Sequence, residues 1–466
     1  MRPPYDHHVQ GLLQRRLWVS PYAILAVGAA LVLVLEYLRG SATFNTAPGW
    51  ALGQAAVSGA ALLAVWPARD RLRIGLTLVL GGLFQLGWIA LHLHLGVHGD
   101  HDPNGIYSSE GESLLHGTYP HSEYPPGAVA LFALEAWLGG GSARTPNAFL
   151  MIPFQLLCVV GISAFRTRSA PWLAAFVALW PLNAFYWEFR FDLVPTAALV
   201  VGLVLAYRER WLLSGIALGL GTLAKWTPAF ACAALVIWLL RLRRIRAAES
   251  QFLGFVAPVL LVNVPLLLWQ SNAVLDAYST QNARTVTAES FVYLPLRLFW
   301  HVHPGFWYFR AADVPAAANT AAVWIQIGAV GVILAFAALA RTRASVVALA
   351  ALAPAVFLLT NRIFSPQFYV LVLAAVGVAA ALVVRQRTEL LAIAGMCAVA
   401  TTADTVLYQS YLGRQPVSTL SSWIIVSALS FVPTVAAVIW LVGRAKLEKT
   451  DASPEFTPAL GSAQRA

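Results

Sequence analysis

Long apolar runs, broken by short stretches that hold arginine, proline and glycine, make up most of the chain. Crossing the hydrocarbon core of a bilayer as a helix takes about 20 apolar residues at about 1.5 Å each. Runs near that length fall at 20–38, 50–67, 74–96, 147–165, 171–187, 193–207, 211–224, 226–240, 251–269, 318–340, 344–360, 367–384, 388–408 and 418–442. They predict an all-α polytopic membrane protein, a bundle of about 12–14 helices. The three runs between 193 and 240 are short and are separated only by Arg208-Glu209-Arg210 and by Lys225. That pattern predicts bent helices, or two halves of one broken span. The membrane domain covers 1–446, and 447–466 reads as a disordered tail, polar and proline-containing.

Composition agrees with the pattern. The chain is 59% hydrophobic and 11% charged, with a mean hydropathy of +0.68, whereas soluble domains carry about 25% charged residues. The net charge of +10 would suggest nucleic acid in a soluble protein, but here it follows membrane topology, because short basic loops stay in the cytoplasm. Alternating from a cytoplasmic N-terminus puts Arg69, Arg71, Arg73, Arg166, Arg168, Arg208, Arg210, Arg241, Arg243, Arg244, Arg246, Arg341, Arg343, Arg385 and Arg387 inside. No cleavable signal is expected, both termini are expected in the cytoplasm, and no nucleic-acid partner is implied. Residues 125–138 are too short to cross and would invert every later loop if they did, so they predict a half-immersed or re-entrant helix on the outer side. Cys158, Cys232 and Cys397 are far apart within apolar runs, which excludes a disulfide framework and a thiolate zinc site.

Two outer segments exceed what a connector needs: 97–138, the first and acid-rich one with its short interfacial helices, and 270–317. Asp102-Pro103 opens a helix in the first, acid at the N-cap and proline at N1, ending near Gly117. Asp102 alone reads as readily as a capping residue as it does as a base that accepts a hydroxyl proton. Glu123-Tyr124-Pro125-Pro126 then stiffens the backbone ahead of the next apolar run. Arg190 and Asp192 stand at the end of an aromatic-rich span, and Lys225, one of three lysines, lies between two short apolar segments. Ionisable groups so placed are candidates for function. An Arg190–Asp192 structural pair and a Lys225 that reaches out to the membrane surface are the plainer readings. Arg284, Glu289, Arg362 and Gln367 occupy later outer segments, where guanidinium groups suit a lipid phosphate. His92, His94, His98 and His101 cluster at the end of the third span. They read as interfacial residues, and no metal is expected.

The series Asp102, Tyr107, Gly117, Tyr119, Tyr124-Pro125-Pro126, Lys225 with Pro228, Arg284 with Glu289-Ser290, and Ser365-Pro366-Gln367-Phe368 resembles glycosyltransferase family 87, over roughly residues 98–370. The resemblance implies a GT-C-like helix bundle that takes a sugar, chiefly mannose, from a polyprenyl-phosphate donor without a cofactor. It implies transfer to a lipid-linked or glycan acceptor at the outer face of the plasma membrane. Asp102 would match the family's general base, with Asp100 as a rival, and Lys225 and Arg284 would match basic positions near the donor phosphate. Arg190 and Arg362 are further candidates for that phosphate, while Tyr107, Tyr124, Glu123, Asp192, Glu289 and Gln367 are expected to position substrate. The competing class is a lipid or glycolipid transporter or flippase, which predicts ionisable residues near mid-membrane and broken helices in both halves.

Overall fold

The structure is a computed structural model that describes residues 20–40, 48–97, 102–287, 289–300, 314–412 and 420–447. It is all-helical among these residues. The first part runs α1 Pro21–Arg39, α2 Pro48–Val65, α3 Ile74–His94, a π turn Pro103–Tyr107 continuing into α4 Ser108–Leu115, α5 Pro126–Leu138, α6 Arg144–Ser163, α7 Ala170–Leu179 and α8 Pro181–Phe189. Then follow α9 Leu193–Tyr207, α10 Trp211–Ala224, α11 Pro228–Arg241 and α12 Ile245–Ala283. The last part is α13 Tyr293–Phe299, α14 Ala316–Leu339, α15 Arg343–Leu359, α16 Phe368–Val383, α17 Arg387–Leu412 and α18 Leu420–Leu447.

Eight helices among the described residues are long and apolar enough to cross a membrane, or nine if the bent pair α8–α9 counts as one span. The shorter apolar helices make the centre. Every residue of α16 from Tyr369 to Val383 is buried, as is α15 from Ser345 to Ala355. Their Ala, Val and Gly content explains this, since small side chains let helices approach closely where lipid supplies no hydrophobic drive between them. Around α16 pack α7, α9, α15 and α18. The long spans α12 and α14 stand at the periphery, with 6% and 17% of their apolar windows buried, and so present their leucines outward.

Two of the apolar runs behave differently from their sequence reading. The run at 171–187 breaks at Trp180, whose extended backbone (ψ 114°) precedes Pro181, because proline disfavours helical geometry in the residue before it. The run at 251–269 continues as helix to Ala283, kinked at Gln270 (φ −142°, ψ 64°). At about 1.5 Å per residue this helix outreaches the hydrocarbon core, so its last turns leave the apolar zone and fold over the first acid-rich segment. There the Gln270 side-chain oxygen accepts from the Tyr119 backbone N–H at 3.0 Å, and the Gln281 amide donates to the Glu123 carbonyl at 3.2 Å. The 125–138 stretch is a short helix packed against α4 and α10. A Cβ added at Gly127 would lie 2.7 Å from the Leu223 carbonyl, so glycine there lets the first outer segment close onto the end of α10.

Candidate functional site

The site grows from the break between α8 and α9, where the two axes bend by 114°. Arg190 is extended there (φ −143°, ψ 150°). Extended backbone sends residues i and i+2 the same way, so Arg190 and Asp192 face a common space. Arg190 is ion-paired with Asp102, and Asp192 with Lys225. These two pairs tie the first outer segment and the end of α10 to one short strand of chain. Asp102 makes no capping bond, and its carboxylate also accepts from the Tyr124 hydroxyl at 3.4 Å. The capping reading of Asp102 is set aside by this geometry. The helix that follows opens instead as a π turn, with the Ser108 hydroxyl donating to the Pro103 carbonyl at 2.7 Å.

Aromatic rings wall the pair. Tyr107 stacks on Phe132 at 4.0 Å, and Tyr124 and Phe191 meet both rings edge-on at 5.3–5.9 Å. The wall keeps water from one side of Asp102 and Arg190, which strengthens their attraction. Lys225 sits over the Phe368 ring at 4.1 Å and the Phe191 ring at 5.7 Å, a cation–π setting that orients its ammonium. Beside it Trp226 and Tyr278, both partly exposed, lie 4.5 Å apart and form an apolar rim. Glu123 is ion-paired with Arg284 and lies within electrostatic reach of Lys225.

Thus Asp102, Tyr107, Tyr124, Arg190, Asp192 and Lys225 converge on one space, with Glu123 and Arg284 alongside. Arg362 donates to Asn319 at 3.2 Å, and its carbonyl receives the Thr287 N–H at 3.0 Å. It braces the second outer segment rather than joining the Asp102 group. Gln367 stands at the N-terminal boundary of α16 ahead of Phe368 without a side-chain capping bond, and Glu289 lies apart, lining a cavity of its own. Asp100, with His98 and His101, lies outside the described residues, as do Arg310 and Asp313 in the second outer segment.

Several polar residues support the site in roles the sequence reading did not give them, His92 among them, which was expected at the membrane interface and is instead fully buried. Glu36 of α1, His92 of α3 and Glu188 of α8 are buried and linked: His92 Nε2 is 2.7 Å from Glu36 and its Nδ1 is 2.5 Å from Glu188. Trp88 Nε1 donates to Glu188 at 3.1 Å, Gln54 donates to Glu36 at 2.5 Å, Arg39 pairs with Glu36, and Asn147 donates to the Glu188 carbonyl at 2.8 Å. This network fixes the chain two residues before Arg190. Its signal was in the sequence: Glu36 and His92 are polar groups inside apolar runs, where such groups are costly. Glu110, on the surface helix α4, is the other. Burial, with Asp102 and Glu123 nearby, pushes its carboxyl up to about 7 against the Ser122 hydroxyl, which donates to it at 2.6 Å. No group of three or more metal-ligating side chains forms a metal site among the described residues.

Neither protein-family models nor curated proteins give a match to this chain. Among solved structures it is similar to ArnT from Cupriavidus metallidurans bound to undecaprenyl phosphate, at 16% identity over 75% of this chain and 73% of that one, with a TM-score of 0.39. A likeness that distant carries no argument about this site, whose reading rests on its own geometry.

Proposed function

We propose that the protein is a membrane glycosyltransferase of GT-C-like architecture that moves a sugar, mannose in the family it resembles, from a polyprenyl-phosphate donor to a lipid-linked or glycan acceptor. The reaction takes place at the outer face of the plasma membrane with inversion at the anomeric carbon. The observation that carries the reading is the pairing of Asp102 with Arg190 beside the pairing of Asp192 with Lys225, with Arg284 on Glu123, at a rim of aromatic side chains.

In this mechanism Asp102 accepts the proton of the acceptor hydroxyl as that oxygen bonds to the anomeric carbon, while the bond from that carbon to the phosphate oxygen breaks. Arg190 keeps Asp102 ionised and aimed, since an opposite charge favours the carboxylate. The leaving group goes from phosphate diester to lipid monophosphate and gains negative charge. Lys225 and Arg284 stabilise that charge, exchanging their present carboxylate partners for phosphate oxygens, an effect strengthened by the water-poor wall. Trp226 and Tyr278 offer the first isoprene units an apolar seat, and the outward leucines of α12 continue it.

The test is purified protein with radiolabelled polyprenyl-phosphate mannose and candidate envelope lipids. A new labelled glycolipid, lost in Asp102→Asn, is expected. Transfer undiminished in that variant would overturn the assignment of the base.

A second reading, a lipid or glycolipid flippase, is favoured by the 114° break at α8–α9 and by ionisable residues inside apolar helices. Against it, Glu36, His92 and Glu188 each lie within a turn of a helix end, not at mid-span, and the break is one pair among the described residues instead of one in each half. Movement of unaltered glycolipid across sealed vesicles, with no new product, would decide for the flippase.

A further inference from the structure

A second polar centre lies beyond the catalytic group. Between α13, α17 and α18 is a cavity of about 150 Å³ lined by Glu289, Ser290, Phe291, Ser427, Ser430 and Phe431 among others. Glu289 is 6% exposed and pairs with no cation among the described residues, and the Ser427 hydroxyl, buried at its oxygen, has no hydrogen-bond partner. Asp404, 1% exposed, lies one turn before the lining residue Leu407 and within electrostatic reach of Glu289. Its Oδ2 is also without a partner. Buried polar groups left unmatched are expensive, and here two of them, the Ser427 hydroxyl on the cavity wall and Asp404 Oδ2 one turn behind it, stand without a partner among the described residues.

We propose that this cavity is the subsite for one hydroxyl-bearing sugar ring, the head group of a lipid-linked acceptor. The role as acceptor subsite rests on the transferase reading above. Four features select the ligand. Carboxyl and serine groups supply acceptors and donors for ring hydroxyls. Phe291 and Phe431, with centroids 6.4 Å apart, offer apolar faces to the C–H side of a pyranose. No lysine, arginine or histidine lines the space among the described residues, which disfavours a phosphate. The volume falls below the about 300 Å³ of larger ligand pockets, which suits one ring and not an oligosaccharide. Burial pushes the Glu289 carboxyl up to about 8, so near neutral pH it is a neutral acid able to donate as well as accept, which suits a polyol better than a cation.

Position agrees. The lining residues belong to the last turn of the span Arg387–Leu407 and the first turns of Ile424–Lys446, where a head group would arrive from one leaflet. Tyr186, whose hydroxyl donates to Thr405 at 3.2 Å, lies within electrostatic reach of Glu289, Asp404 and Arg190. Through Tyr186 the electrostatic reach of this cavity's carboxyls extends to Arg190, the partner of the proposed base.

The test uses the full chain in nanodiscs and saturation-transfer NMR with three probes: octyl mannoside, methyl mannoside and octyl phosphate. Ser427→Leu fills the cavity, and Glu289→Gln replaces its carboxyl. Saturation of the octyl mannoside ring is expected, weakened about tenfold in apparent affinity in both variants, the scale of one hydrogen bond between neutral groups. Octyl phosphate, held at Lys225, should be unaffected by either substitution. Ring binding unchanged in both folded variants, or displaced by octyl phosphate, would overturn the subsite. Methyl mannoside binding as tightly as octyl mannoside would overturn the lipid-linked source in favour of a soluble sugar. Mannoside binding by a wild-type chain that transfers no sugar would overturn the transferase reading and leave the pocket standing. Transfer with an unchanged acceptor KM in both variants would do the reverse.

Discussion

The two ends of α10 carry the same kinds of charge in opposite settings. Before its first residue, Glu209 pairs with Arg244 at 3.0 Å and with Arg343 at 2.5 Å, and all three side chains are about 40% exposed. After its last residue, Lys225 pairs with Asp192 beside the Asp102–Arg190 pair, where side-chain exposures run from 4% to 20%. Water and salt screen the first group, and exposed pairs are worth roughly 0–1 kcal/mol. The second group is desolvated and walled by rings, so its charges depend on one another, and breaking one pair strands a buried ion. Ion pairs at one end of α10 thus decorate a surface, while those at the other end are buried and depend on one another.

The sharpest way to break this contrast is Asp102→Asn, expected to lower transfer by about 10³-fold, within the range for loss of a general base, in the labelled-donor assay. Next comes Arg190→Met, which leaves the Asp102 carboxylate buried without its cation. Destabilisation by about 3–5 kcal/mol is expected, read as a lower unfolding temperature in detergent. The double variant with Asp102→Asn should recover much of that loss, and a strictly additive cycle would sink the coupling.

His92→Gln should act more mildly, since it loosens the Glu188 anchor while touching no substrate. A kcat reduced about tenfold, near 1.4 kcal/mol, with donor KM little changed is expected. A change confined to thermal stability would remove its positioning role.

Acidity separates the two ends as well. Glu289 and Glu110 are raised by burial from 4.5 to about 8 and about 7, so the folded chain keeps protons that the unfolded chain has already released. Stability is therefore full below about 4.5 and is lost as pH rises through about 7 to 8. Glu289→Gln with Glu110→Gln should flatten that decline in thermal unfolding scans, and an unchanged slope would argue against the burial of both. Burial and the Arg244 hydrogen bond oppose each other at Glu209, where the bond wins and the carboxyl is lowered. Glu209→Gln should shift stability least of all, by less than about 1 kcal/mol, and a larger fall would make the surface pairs more than decoration.

Much of the helix inventory was legible in the apolar runs, because a bilayer obliges each spanning segment to satisfy its own backbone and to show an apolar length. Even Asp102, Arg190, Asp192 and Lys225 stood out as charges where lipid makes charge expensive. Their partners did not. Arg190 and Asp192, two apart, looked like candidates for each other, and the extended break after α8 gives them Asp102 and Lys225 as partners. Glu289 was expected to position substrate beside the Asp102 group, yet it lines a cavity of its own, and Asp404 drew no notice inside its helix. Only the packing of α17 against α18, with the second outer segment above, places both carboxyls near one cavity.

By itself, then, the order of residues determined an all-α membrane bundle, the approximate spans and a short roster of ionisable side chains, since these follow from local hydropathy and chain length. Tertiary structure decided which opposite charges meet, that α12 runs on past Gln270 to clasp the first outer segment, and which short helices become the core. Those outcomes depend on contacts between residues from about thirty to more than a hundred and fifty positions apart, such as Asp192 with Lys225 and Glu123 with Arg284, and no local pattern encodes where a distant segment will come to rest.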